Sequence, residues 1–228
     1  MIVTIDGPAG SGKSTAAREL ATRLGLAYLD TGAMYRAVTL KALETGVALD
    51  DADALGRLAR DSDLRVDSEP SHPRVLLDGR DVSDAVRSMR VNRGTSLVAR
   101  VPAVRRALVD KQRQIGRDLG GRGVGGLVAD GRDQGSVVFP DADFKFLIRA
   151  ALEKRAERRF QEMTAGAGDD PIVFEEILAN LRERDATDAV QWAPLEATGE
   201  AVEIDTTAMS VDDVVERMLE SITAPQVP

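Results

Sequence analysis

The sequence predicts an α/β fold, a parallel five-stranded sheet flanked by helices, and three observations carry that expectation. Five short runs, Met1 to Ile5, Leu26 to Leu29, Gly126 to Ala129, Phe144 to Ile148 and Ala201 to Ile204, read as strands. Gly126 to Ala129 is continuously apolar, as in strands buried on both faces, and the others are interrupted by at most one polar residue (Thr4, Lys145 or Glu203). Helical periodicity fills most of the intervals between them, and strands alternating with helices favour a parallel sheet. The first run leads directly into a glycine-rich turn and an amphipathic helix, Thr15 to Leu24.

That turn reads Gly7-Pro8-Ala9-Gly10-Ser11-Gly12-Lys13-Ser14-Thr15. It fits G-x-x-x-x-G-K-[ST] in full, with the strand before it and the helix after it that the motif requires. Its glycines let the backbone wrap a polyphosphate and turn N–H groups inward, and the helix N-terminus adds positive potential. Lys13 is placed to reach the outer phosphates and the Ser14 hydroxyl to ligate Mg2+. A glycine-rich turn without a ligand is the competing reading, and the full motif in its full context argues against it. The fold class is therefore a three-layer P-loop NTPase fold with a nucleotide-phosphate site.

Further along, a helix is expected from Gly32 to about Glu44, capped by Thr31 and closed by Gly46. Arg36 lies one turn in; a solvated charge and an anion contact are equally good readings of it. Asp50 to Ala59 reads as a short helix. Leu64 to Val66, Arg74 to Leu77 and Arg80 to Val82 read as short strands, the last two joined at Asp78-Gly79, so a small antiparallel insert is expected. Ser83 to Arg90 turns helical. Pro102 then opens a helix running to about Ile115 and carrying Arg105, Arg106, Lys111 and Arg113.

Gly120 to Gly126 breaks the chain ahead of the strand that ends in Asp130-Gly131-Arg132-Asp133. The same four residue types recur at 78–81, where they form a turn. Only the second copy sits at the carboxyl end of a buried strand, where open α/β sheets bind ligands. A helix from Leu152 to Met163 sets Arg155, Arg158 and Arg159 on one face. They can clamp phosphate or pair with Glu157 and Glu162; beside a phosphate site the clamp is the more economical reading. Ala165 to Asp170 suits a lid tip, Pro171 to Asp185 a helix, and Asp188 to Pro194 a separate segment with Trp192. Ser210 caps a last helix with Val214, Val215, Met218, Leu219 and Ile222 on its core face.

Composition narrows the chemistry. A net charge of -8 over 228 residues argues against nonspecific nucleic-acid binding, so an anion site must be a local basic cluster. With no cysteine and one histidine, His72 between two prolines, thiolate metal sites and histidine acid–base catalysis are unsupported. No apolar run approaches the roughly 20 residues of a membrane span. The N-terminal strand leaves no room for a signal peptide, so a cytoplasmic protein is expected.

Ile5 to Ser14, Leu29-Asp30-Thr31-Gly32-Ala33-Met34-Tyr35-Arg36, Asp130 to Asp133, Val137 to Ala142, Arg155 to Arg159, Arg184-Asp185 with Asp188, Ala193-Pro194-Leu195 and Asp205-Thr206-Thr207 together resemble the bacterial cytidylate (CMP) kinases. The resemblance spans nearly the whole chain, and the second and third blocks are far more specific than the P-loop. It implies γ-phosphoryl transfer from ATP to CMP or dCMP with Mg2+, in a monomer. Thr31, Arg36 and Arg132 would hold the acceptor phosphate. Ser96, Arg105 and Asp133 would read the cytosine edge, and Arg184 and Asp188 would touch the pentose. Arg155 and Arg159 would close over the donor phosphates from a lid at about 151–190. The core is expected at about 1–30, 117–150 and 195–224, and the monophosphate-binding region with its insert at about 31–116. The family usually carries arginine where Gln191 stands, which puts one basic contact to the acceptor in doubt.

Phosphoryl transfer asks for positioning and charge neutralisation, which suits a chain rich in arginine and poor in histidine. An alcohol acceptor would instead want a carboxylate base, for which Asp30 or Asp130 qualifies. A nucleotide-driven switch is the rival outside catalysis; the guanine-reading Asn-Lys-x-Asp motif is missing from the sequence.

Overall fold

The computed structural model describes residues 1–121, 125–166 and 173–224. The proposed lid tip from 167 to 170 and the start of the expected helix at 171–172 lie outside the described residues, as does part of the glycine-rich break before residue 125.

The expected α/β architecture is present. A five-stranded sheet has the order β2-β6-β1-β7-β8, and a separate three-stranded sheet has the order β3-β4-β5. The chain forms two compact units, one comprising Met1 and residues 21–129 and the other residues 2–20 and 130 onward.

In the second unit, β1 (Ile2–Asp6) pairs in parallel with β7 (Phe144–Arg149), placing Ile5 opposite Phe146, and β7 pairs in parallel with β8 (Val202–Asp205). Ile5, Phe146, Leu147 and Ile148 are essentially inaccessible, whereas β8 alternates Val202-Glu203-Ile204-Asp205 and buries only Ile204. Helix α1 (Lys13–Leu24) follows the P-loop. Helices α6 (Leu152–Gly166) and α7 (Phe174–Thr198) pack together through Ala156, Ile177 and Leu181, with Phe160 edge-on to Phe174 at 6.0 Å, and this cluster includes Ala9 of the P-loop. The last helix, α8 (Val211–Thr223), starts in a capping box between Ser210 and Asp213 and buries Val214, Val215 and Met218.

Helix α7 corrects the sequence reading. Asp188 to Pro194 is not a separate segment but the continuation of one 25-residue helix through Pro194. Proline removes the bond to the carbonyl four residues back. Here that carbonyl belongs to Val190, which is 71% exposed, so water can satisfy it and the helix survives.

The first unit holds β2 (Ala27–Asp30), α2 (Thr31–Thr45), α3 (Ala52–Asp61), β3 (Leu64–Asp67), β4 (Arg74–Leu77), β5 (Arg80–Asp81), α4 (Met89–Ala99) and α5 (Pro102–Gly121). The antiparallel insert is as expected: β4 and β5 are joined by Asp78 and Gly79, both at positive φ (50° and 78°), the backbone a tight hairpin needs. Two expectations fail. Thr31 is not a cap but the first helical residue; Asp30 caps α2 by accepting from Ala33 N at 2.8 Å. The segment read as one helix over 83–90 is a short 3-10 turn, Ala85–Arg87, followed at Met89 by the start of α4, whose continuation through Ser96 the sequence reading does not predict. Strand β6 (Leu127–Gly131) ends on the Asp130-Gly131 step.

Candidate active site

The donor side is built by the P-loop in the second unit. Gly7 has φ of 145°, and a Cβ there would lie 2.1 Å from Ile148 O, so only glycine lets the loop leave β1 against β7. Gly10 and Gly12 also adopt positive φ (74° and 88°), turning the backbone as the motif requires. Lys13 is buried and donates from Nζ to Pro8 O at 3.2 Å, folded back over its own loop. The Ser11 hydroxyl is buried and has no hydrogen-bond partner among the described residues, a donor at the loop that suits a phosphate oxygen.

Ser14, at the start of α1, donates from Oγ to Asp130 Oδ2 at 2.6 Å. Asp130 is 2% exposed at the carboxyl end of β6. A hydroxyl and a carboxylate side by side are the hard oxygen donors that Mg2+ takes, one or two from protein and the rest from phosphate and water. No cluster of three or more His, Cys, Asp or Glu suited to a metal occurs among the described residues. Sequence reasoning had considered Asp130 only as a base for an alcohol acceptor. Its place at the end of a buried strand was the available signal; its contact with Ser14 was not.

The arginines on α6 divide by environment. Arg155 is 4% exposed: Nη1 and Nη2 bond the two Asp185 oxygens, Nη1 also reaches Ala9 O at 3.2 Å, and Nε donates to Ala150 O at 2.9 Å. Of its alternative partners, neither Glu157 nor Glu162 holds it; Asp185 does. Arg158 donates to Ser11 O at 3.1 Å and to Thr206 O at 2.6 Å, tying the P-loop to the turn after β8. Arg159 makes an exposed pair with Glu162 at 3.0 Å, a contact easily exchanged for an anion.

Arg132 and Asp188, expected on the acceptor nucleotide, are bonded to each other at 3.1 Å, and Arg132 also donates to Gly131 O. Asp133 is 4% exposed. Arg184 and Gln191 lie on α7, half-buried, with Ser136 Oγ donating to Gln191 O at 3.4 Å. The remaining expected acceptor residues belong to the first unit. Thr31 is buried, and Arg36 donates from Nη2 to Asp30 Oδ2 at 2.8 Å. Arg36 Nε is buried without a partner among the described residues. Ser96 lies on α4 and Arg105 on the first turn of α5, both partly buried. His72 is exposed in its loop, against Ser71.

Strand, glycine loop, buried lysine and the Ser14–Asp130 pair define a P-loop phosphate-binding site. The cytidylate kinase family model matches residues 3–224, and the chain belongs to that family. A cytidylate kinase of Caldanaerobacter subterraneus subsp. tengcongensis is 45% identical over 221 residues, 96% of this chain and 93% of its own length. One from Pelotomaculum thermopropionicum is 45% identical over 97% of this chain and 96% of its own. One from Geobacillus kaustophilus is 42% identical over 96% and 95%.

Proposed function

We propose that the chain transfers the γ-phosphoryl group of ATP to CMP or dCMP, giving ADP and the nucleoside diphosphate. Membership of the cytidylate kinase family over residues 3–224 is the observation that carries this reading. Mg2+ would be held by Ser14 and Asp130 with the donor phosphates and would neutralise their charge. Lys13, moving off Pro8 O, would meet the outer phosphate oxygens, and Arg159 would reach them from the lid at about 151–190. Arg155 would contribute on the donor side from its buried position beside Ala9. Thr31, Arg36, Ser96, Arg105, Arg132, Asp133, Arg184 and Asp188 are the groups the family resemblance implies for the acceptor. An acceptor phosphate with a second pKa of about 6 is largely ionised at neutral pH, so no general base is required.

We place the enzyme in the cytoplasm as a monomer, acting on free nucleotides rather than nucleic acid. The acidic net charge argues against nonspecific nucleic-acid binding, and the monomer is what the family resemblance implies. No helix among the described residues is long and apolar enough to cross a membrane. The test is ADP release from ATP and Mg2+ with CMP, dCMP, UMP, AMP, GMP or no acceptor. Turnover with CMP and dCMP well above the others is expected; equal rates with and without an acceptor would replace the kinase by a bare ATPase.

A further inference from the structure

Asp6 is the last residue of β1 and is inaccessible to solvent. It immediately precedes Gly7, yet its carboxylate turns away from the P-loop's own amides. Oδ1 accepts from Gln134 N at 2.9 Å and Oδ2 from Gly135 N at 2.8 Å. These amides open a five-residue π-helical turn, Gln134–Val138, and have no partner within it. The turn continues directly from Asp130, Arg132 and Asp133. It is also seated on β1 sterically, because a Cβ at Gly135 would lie 2.9 Å from Thr4 Oγ1 and 3.3 Å from Leu195 Cδ1.

A buried carboxylate is an expensive way to hold two amides. Burial pushes the Asp6 carboxyl up to about 6, with Asp133 adding to the rise, while the Gly135 and Gln134 amides and Arg132 oppose it. What the charge supplies is two strong, directional bonds at the point where the chain leaves the 130–133 block.

We propose that Asp6 is the positioning residue of the acceptor site: its two oxygens pin the turn at Gln134 and Gly135 and so aim Arg132 and Asp133 at the nucleoside monophosphate. The inference rests on the kinase reading above. It makes Asp6 a link between two substrate loops, since the residue that anchors the acceptor block is bonded covalently to Gly7 of the donor loop. Its loss therefore acts first on the acceptor.

The test is Asp6→Asn, whose amide nitrogen cannot accept and so frees one backbone N–H. Steady-state constants for CMP are measured beside calorimetric binding of ATP with Mg2+ and the thermal unfolding midpoint. A KM for CMP raised about tenfold or more, with turnover reduced and ATP affinity within about threefold of the parent, is expected for a misaimed acceptor block. CMP constants within twofold of the parent would overturn the proposal. So would equal losses of CMP and ATP affinity, which would make Asp6 a support of the P-loop alone. If Asp6→Asn does not fold, Gly135→Ala displaces one of the two amides from the other side and is read by the same criteria. The acceptor used is whichever monophosphate the parent phosphorylates. A parent without acceptor-dependent turnover overturns the kinase reading too, whereas an active parent with an indifferent variant overturns this proposal alone.

Discussion

Ser14 Oγ and Asp130 Oδ2 lie 2.6 Å apart, although 116 residues separate them in the chain. The pair sets the first residue after the P-loop lysine against the end of a buried strand, and under the proposed function these two oxygens would hold Mg2+. Asp130→Asn keeps the shape and one acceptor but removes the charge. Weakening a ligand or its partner typically costs about 10–100-fold in metal affinity or activity. The Mg2+ concentration for half-maximal turnover should rise by that order, and more in Asp130→Asn than in Ser14→Ala, where water can replace the hydroxyl. An unchanged Mg2+ titration would remove Asp130 from the metal site.

Lys13 is buried and donates to Pro8 O at 3.2 Å, a contact that phosphate would replace under the proposed function. Losing one preorganised donor to developing charge costs about 10²–10³ in turnover. Lys13→Ala should fall by at least that much, and Arg132→Ala should lose most of its turnover with KM for CMP raised. Near-parent kinetics in either purified variant would withdraw that residue.

Arg155 and Arg159 should separate in experiment. Arg155 is buried and bonded to Asp185, Ala9 O and Ala150 O, so removing Asp185 leaves a buried guanidinium short of its counter-charge, a change worth about 3–5 kcal/mol where burial is complete. Asp185 is itself 29% exposed, so Asp185→Ala should lose the lower part of that range, seen as an earlier urea midpoint. Arg159→Ala, which breaks only an exposed pair, should change stability by less than about 0.5 kcal/mol while lowering turnover. Equal stability losses in the two variants would contradict the division.

The pH dependence of stability should carry the signature of Asp6. Its carboxyl rises from 3.8 to about 6 on folding, mainly through burial. A raised native value means the folded protein binds the proton more tightly than the unfolded chain. The stability from that binding is complete below pH 4 and lost as pH climbs through 6. A shift of about two units corresponds to roughly 3 kcal/mol. The stability of the parent relative to Asp6→Asn should therefore be greater at pH 5 than at pH 7.5, measured by urea unfolding. A difference independent of pH would mean the carboxyl is not perturbed.

Whatever depends on a few neighbouring residues was legible in the chain itself. The P-loop needs only its glycines, Lys13 and Ser14 between a strand and a helix; the Asp78-Gly79 hairpin needs two residues at positive φ; the Ser210–Asp213 box needs a spacing of three. Apolar residues marked the strands because the sheet interior takes few polar side chains; in β8, where only Ile204 is buried, polar residues alternate with apolar ones. Tertiary structure decided the rest. Asp30 displaced Thr31 as the cap of α2 because both carboxylate oxygens found partners, Ala33 N and Arg36. Pro194 stayed inside α7 at a stretch where Val190, four residues back, is exposed to solvent. Arg155 found Asp185, 30 residues away, rather than the glutamates on its own helix, and Asp6 found amides 128 and 129 residues distant. Periodicity and spacing report the near neighbours of a residue, whereas a buried charge takes its partner from whatever the packed sheet and helices bring against it.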